Sequence, residues 1–124
     1  MNWFKKIAKN FDERNVINAK IIYLKEIREK IKYAGKLISQ SGKNAKNSIY
    51  KIITSDKISS YPVLNEILVD ANSIALDDPW DFSRKCAEAI DTIDYLIKSL
   101  KKERKDFVTD KTEQKIKKGL VFDV

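Results

Sequence analysis

The sequence predicts an all-α protein: an antiparallel helical bundle of about four main helices, two long and two shorter, with a short C-terminal helix and an apolar tail. Three observations lead to this prediction. Apolar residues recur at heptad spacing in two long stretches. Only 3 glycines and 2 prolines occur, which disfavours turn-rich β architectures. A chain of 124 residues that is 43% hydrophobic and 35% charged suits one globular core. We therefore expect residues 1–124 to form a single helical domain.

The clearest predicted helix covers residues 78–105. Asp78 suits the N-cap position, Pro79 suits the first helical position, and Asp81 is placed to complete a capping box. Basic residues crowd the far end, where they complement the helix dipole. The pattern therefore predicts a helix of about 27 residues, about 40 Å long. Its core positions are all apolar, and they are Phe82, Cys86, Ala89, Ile93, Leu96 and Leu100.

Residues 1–11 form an amphipathic N-terminal segment. Its aromatic and aliphatic residues at helical spacing are Trp3, Phe4, Ile7 and Phe11. Lysines off that stripe include Lys5 and Lys6. Three interpretations stay open. The segment packs on the bundle or forms the first turns of the next helix, it enters a groove of a partner protein, or it lies on an anionic membrane surface.

The residue pattern in the middle of the chain predicts one long helix and two shorter ones. Residues 12–40 carry Ile17, Leu24, Ile31 and Ile38 at intervals of seven. Gly35 interrupts that helix at a cost of about 1 kcal/mol, marking a close helix approach or a fraying end. Gly42 is predicted to end it in a left-handed cap. The shorter helices are expected at residues 44–54 and 62–77, joined by a polar connection at 54–60.

The periodicity lapses after Lys105, so residues 106–124 are interpreted as a C-terminal extension. Asp110 and Glu113 fit a second capping box, which would open a short helix that Gly119 ends. The tail beyond it is apolar and includes Phe122 and Val124. It docks on its own core, joins a partner or a second copy of the chain, or is disordered.

Charge is distributed in three blocks within a net charge of +7. Residues 1–57 carry 14 basic and 5 acidic side chains, residues 58–97 carry 2 and 8, and residues 98–124 carry 9 and 5. Opposite blocks either pair between neighbouring helices, or the basic blocks present a cationic face to a polyanion or an acidic protein.

The residue types argue against catalysis. With no histidine, the chain lacks the usual general base and imidazole ligands, and one cysteine cannot build a zinc site. No glycine-rich phosphate loop occurs. Helix capping accounts for Asp78 and Asp81, and a solvent-facing position is expected for Glu88, Asp91 and Asp94. We therefore predict no catalytic residue, no cofactor and no metal site.

Nucleic-acid binding is the main alternative function. The sequence pI is about 9.4, and two basic clusters would contact phosphates: Lys43, Lys46 and Lys51, and Lys101, Lys102, Arg104 and Lys105. Scarce arginine argues against base-specific readout. Three tyrosines among the lysines either stack single-stranded bases or rim the core with their hydroxyls in solvent, and they are Tyr23, Tyr33 and Tyr50.

The preferred interpretation is a cytoplasmic, non-enzymatic protein that binds another protein. Neither a signal peptide nor a membrane span is evident. By analogy of architecture alone, small basic bundles serve as bacteriocin-immunity proteins and as phage or plasmid accessory proteins, which suggests an inhibitory or accessory role. The tail offers a route to homo-oligomers, and peripheral membrane contact through residues 1–11 is a second alternative. The predicted partner-binding residues are Trp3, Phe4, Lys5, Lys6, Phe122 and Val124.

Overall fold

The structure is a computed structural model that describes the backbone of residues 2–117 and the side chains of residues 13–105. Within this part of the chain every regular element is helical. The helices are α1 (Asn2–Leu37), α2 (Gly42–Ile53), α3 (Pro62–Ile74) and α4 (Pro79–Lys117), with a 3-10 helix at Asp56–Ser60. The predicted all-α class is therefore confirmed, as is the prediction of two long and two shorter helices.

The chain divides into two compact units. One comprises Tyr23–Leu96, and the other comprises Met1–Ile22 with Ile97–Val124. The long helices α1 and α4 each contribute residues to both units. The expectation of one domain stays a prediction.

The core of the Tyr23–Leu96 unit is apolar. No buried polar or charged residue occurs among the described side chains. The predicted heptad of α4 is buried at four of its six positions, whereas Leu96 and Leu100 are half-buried. Helices α2 and α3 pack against each other, and the 3-10 helix packs on α3. The largest fully buried side chains are Leu24, Ile31, Ile49, Leu64, Leu68, Phe82, Cys86 and Ile93.

Helix α1 runs without a break from Asn2 to Leu37. The prediction of a separate helix beginning at Asp12 was wrong. The alternative in which the N-terminal segment forms the first turns of the next helix is confirmed for the backbone of residues 2–11. No glycine or proline lies between residues 2 and 34. The helix therefore continues from its amphipathic first turns into the heptad stretch without a break.

Helix α4 is longer than predicted, at 39 residues. The short C-terminal helix is corrected to a continuation of α4, and Asp110 lies inside that helix instead of capping a new one. Lysine, glutamate, glutamine and arginine are strong helix formers, and neither glycine nor proline occurs between Lys101 and Lys117. The lapse in apolar periodicity there does not end the helix. The apolar tail lies outside the described residues.

Gly42 does not form the predicted left-handed cap but begins α2. Ser41 caps that helix, since its hydroxyl accepts a hydrogen bond from the Asn44 N–H at 3.2 Å. A Cβ on Gly42 would lie 3.3 Å from Cδ2 of Leu76 and 3.6 Å from the Ala75 carbonyl oxygen. Glycine here allows the turn before α2 to approach the turn before α4 closely.

Two further predictions, about the connection at 54–60 and the start of α4, need correction in detail. The polar connection at 54–60 contains the 3-10 helix, and Ile58 in it is buried. The Asp78 cap on α4 is confirmed, because Asp78 Oδ1 accepts a hydrogen bond from the Asp81 N–H at 3.0 Å. The Asp81 carboxylate pairs with Arg84 in place of the predicted reach back to Asp78.

Gly35 gives the first testable prediction. A Cβ added there would lie 3.6 Å from Cβ of Cys86, an ordinary van der Waals distance. Because alanine forms helix better than glycine, Gly35→Ala should raise the free energy of unfolding by about 0.5–1 kcal/mol. Urea denaturation followed by circular dichroism measures this. Gly42→Ala is the matched control and should show no such gain, since its Cβ would be crowded by Leu76. Loss of stability in Gly35→Ala would refute the fit at that site.

Candidate binding surfaces

The partner-binding residues predicted from the sequence mostly lie beyond the described side chains. Trp3, Phe4, Lys5 and Lys6 belong to the first turns of α1 by their backbone, but their side chains are outside the described residues. Phe122 and Val124 are outside them altogether. That predicted surface stays a prediction.

A different aromatic residue, Trp80, is prominent at the start of α4. The Asp78 cap and Pro79 fix the first turn of the helix, and the Trp80 side chain next to them is 88% exposed. Phe82, two residues on, is fully buried. Leu76, in the turn before α4, is exposed as well. The exposure of Trp80 could have been predicted from the sequence, because Trp80 lies off the heptad stripe that begins at Phe82.

Trp80 belongs to an exposed face of α4 that carries a second aromatic residue. Tyr95 is 70% exposed and lies 15 residues further, close to the 14.4 residues of four helical turns. The two therefore share one side of α4, about 22 Å apart along the axis. We call this side the α4 aromatic face, and its residues, all exposed, are Trp80, Arg84, Ala87, Asp91 and Tyr95.

Carboxylates surround the α4 aromatic face. The expected solvent-facing position of Glu88, Asp91 and Asp94 is confirmed, since all three are exposed. Asp94 also accepts two hydrogen bonds from Arg28 of α1, at 2.7 Å from Nε and 3.3 Å from Nη2. This contact raises the pKa of Arg28 and is one case of pairing between the basic and acidic blocks. Asp77 and Asp91 form no salt bridge with the described side chains.

A second surface is a trough between α1 and α2. It consists of two hollows of about 540 and 610 Å³ that share Tyr33, Ser48 and Lys51. We call the joined hollows the α1–α2 trough. Buried Ile27 and Ile52 belong to its lining, so its base is apolar. Further residues of its walls are Tyr23, Glu29, Lys30, Leu37, Asn44, Asn47, Tyr50, Thr54 and Ser55.

The segment that forms most of this trough is strongly cationic. Residues 30–55 contain six lysines and no aspartate or glutamate. Lys46 is half-buried and the other five are exposed. Among the described side chains, no carboxylate lies within salt-bridge distance of any of them. The six are Lys30, Lys32, Lys36, Lys43, Lys46 and Lys51, which include the first basic cluster predicted from the sequence.

The second predicted basic cluster lies on α4 in the other unit. Lys101, Lys102 and Lys105 are exposed. Arg104 is half-buried, and its Nη1 donates a hydrogen bond to Oδ1 of Asn18 in α1 at 2.7 Å. Arg104 therefore holds a contact within its unit, whereas the three lysines face solvent.

The three tyrosines differ in exposure. Tyr33 and Tyr50 are 61% and 55% exposed. Tyr23 contradicts the expectation of a hydroxyl in solvent: its oxygen is buried without a hydrogen-bond partner among the described residues. Burial raises the pKa of Tyr23, and the nearby Ser55 side chain offsets part of that rise. Its ring stacks on Tyr61 with centroids 6.1 Å apart, beneath the Lys57 ammonium at 5.5 Å. Tyr23 is thus a packing residue.

No helix in the described residues has both the length and the apolar character needed to cross a membrane. The same residues contain no group of three or more cysteine, aspartate or glutamate side chains arranged to hold a metal ion. Comparison of the chain with protein families, curated proteins and solved structures found no match. The functional inference therefore depends on the geometry of the two surfaces.

Proposed function

We propose that this protein is a non-enzymatic interaction module that docks on another protein through the α4 aromatic face. The exposure of Trp80 carries the proposal. A tryptophan that is 88% exposed leaves a large apolar ring in water, and burying such rings supplies much of the free energy at protein contacts. Tyr95 on the same side of α4 provides a second aromatic contact.

The proposal includes a rigid support for this face, with α1 and α4 antiparallel in the Tyr23–Leu96 unit. Two contacts support that direction. Arg28 meets Asp94, and the position of a Gly35 Cβ meets Cys86. From Arg28 to Gly35 the contacts advance by seven residues along α1. Their partners on α4 go back by eight residues over the same step, as they do between antiparallel helices. A face held on packed helices loses little conformational entropy on binding, which favours affinity.

The surrounding charge specifies the partner. Asp77 and Asp91 are exposed next to the aromatic residues and are not engaged in salt bridges with the described side chains. A partner that offers an apolar pocket for Trp80, rimmed by lysine or arginine, would match both properties. The absence of histidine from the chain agrees with a binding role that needs no proton transfer.

Trp80→Ala should weaken this docking by about 30-fold or more, because aromatic hot spots contribute about 2 kcal/mol or more. The tagged chain of 124 residues and its variants would capture proteins from an extract of the source cells. The affinity of the captured partner would then be measured by calorimetry. Val63→Ala, which removes an exposed apolar side chain from α3, is the matched control and should bind normally.

Equal affinity of Trp80→Ala and Val63→Ala for the captured partner would refute docking through the α4 aromatic face. Light scattering on the purified chain distinguishes a second copy as the occupant. A doubled mass that Trp80→Ala abolishes would replace the foreign partner with self-association through this face. A doubled mass that depends on Phe122 and Val124 would assign self-association to the tail.

A further inference from the structure

We infer that the α1–α2 trough binds single-stranded nucleic acid, through lysines that contact phosphates and tyrosines that stack on bases. This function goes beyond protein docking, and it uses a surface that shares no residue with the α4 aromatic face.

Charge gives the first argument. The six lysines of residues 30–55 lie in 26 consecutive positions without a carboxylate, so their charge is not compensated within the segment. Lys30 of α1 and Lys51 of α2 both line the trough. Glu29 is the one carboxylate in the lining of the trough, at the end near Tyr23, and Nη1 of Arg28 lies 3.5 Å from its Oε1. Such a cationic track is the usual footprint of a phosphate backbone.

Aromatic exposure gives the second argument. Tyr33 comes from α1 and Tyr50 from α2, and each leaves more than half of its side chain in solvent. Tyr33 lines both hollows, and Tyr50 lines the one nearer the start of α2. Exposed rings beside lysines are the pattern on which unpaired bases stack. Bases inside a duplex already stack on each other, so the tyrosines select a single strand.

The polar wall gives the third argument and favours nucleic acid over an acidic peptide. Asn44, Asn47 and Ser48 line the trough beside the tyrosines. Amides and hydroxyls can hydrogen-bond to base edges and sugars. A helical peptide would instead insert an apolar stripe into a hydrophobic groove. Here the apolar residues Ile27 and Ile52 are already buried at the base.

Binding of a fluorescent oligothymidylate of about 12 nucleotides, a length within the range of such sites, tests the inference. Fluorescence anisotropy would be measured with the whole chain of 124 residues at low salt. Tyr33→Ala and Tyr50→Ala should each weaken binding by roughly fivefold to 150-fold, as loss of one stacked base predicts. Tyr33→Phe should retain binding because it keeps the ring. Tyr95→Ala removes a more exposed tyrosine that lies outside the trough and should leave oligonucleotide binding unchanged.

The salt dependence tests the lysines separately. Lys51→Gln should reduce the slope of log affinity against log salt by about 0.7, the value for one phosphate contact on a single strand. Lys98→Gln changes an exposed lysine on α4 and is the matched control.

Two competition and binding results would overturn the inference. One is that Tyr33→Ala binds the oligonucleotide as well as Tyr95→Ala does. The other is that polyglutamate of equal charge competes as well as the oligonucleotide, which would assign the trough to an acidic protein. Absence of binding at 50 mM salt would also overturn it. Trp80→Ala should bind the oligonucleotide normally, so neither result depends on docking through α4.

Discussion

Replacing Phe82 with alanine is expected to lower the free energy of unfolding by about 3–5 kcal/mol, the largest change we predict for a single substitution. Phe82 is the largest of the fully buried side chains, with none of its surface accessible to solvent. It lies in the first turns of α4, within the Tyr23–Leu96 unit. Truncation removes the apolar area of a ring and leaves a cavity in a close-packed core, and both effects oppose folding.

Trp80 provides the matched control, because it is an aromatic residue two positions away in the same helix but is exposed to solvent. Trp80→Ala should change the free energy of unfolding by no more than about 0.5 kcal/mol. Urea denaturation of both variants, followed by far-ultraviolet circular dichroism, measures the contrast. A loss below about 1 kcal/mol in Phe82→Ala would contradict the burial of the α4 heptad. An equally large loss in Trp80→Ala would contradict the exposure on which the docking proposal depends.

The core could be predicted from the sequence because burial follows apolar periodicity. Ile17, Leu24, Ile31 and Ile38 recur every seven residues, and all four are buried. Helix length was less predictable. Between Lys101 and Lys117 the chain lacks a regular core stripe but consists largely of residues that favour helix, so the backbone continues. Gly42 illustrates a further limit, since the close approach of Leu76 is a tertiary contact that no local pattern reveals.

The candidate surfaces were harder to predict from the sequence than the core was. The exposure of Trp80 follows from its phase relative to Phe82, but the Asp-Pro-Trp-Asp motif was interpreted only as a helix start. Lys43, Lys46 and Lys51 were recognised as a cluster. Their association with Tyr33 required the packing of α1 against α2, which composition does not encode. Charge alone also could not show that Arg104 contacts Asn18.

The Cys86 thiol is expected to react with iodoacetamide about 1,000-fold more slowly in the folded protein than in the urea-unfolded protein at pH 8. Burial raises the pKa of Cys86 from 9.0 to about 12. The thiolate is the reactive form. At pH 8 this higher pKa makes the thiolate population of the folded protein about 1,000-fold smaller than that of the unfolded protein. The side chain is also buried beneath α1, near Gly35. A folded-state rate within about tenfold of the unfolded rate would contradict this burial.

The raised pKa of Cys86 also makes the free energy of unfolding decrease at alkaline pH. Because the pKa of this thiol is higher in the folded state than in the unfolded state, the folded protein keeps a proton that the unfolded chain loses above pH 9. The stability linked to that proton is complete below pH 9. It is lost as the pH rises from 9 toward 12, by at most about 1.4 kcal/mol per pH unit. Cys86→Ala removes this group and should show a shallower decline. The tyrosines Tyr23 and Tyr61, whose pKa values burial also raises, would contribute equally to both proteins. Identical alkaline slopes for the two proteins would exclude Cys86 as the source.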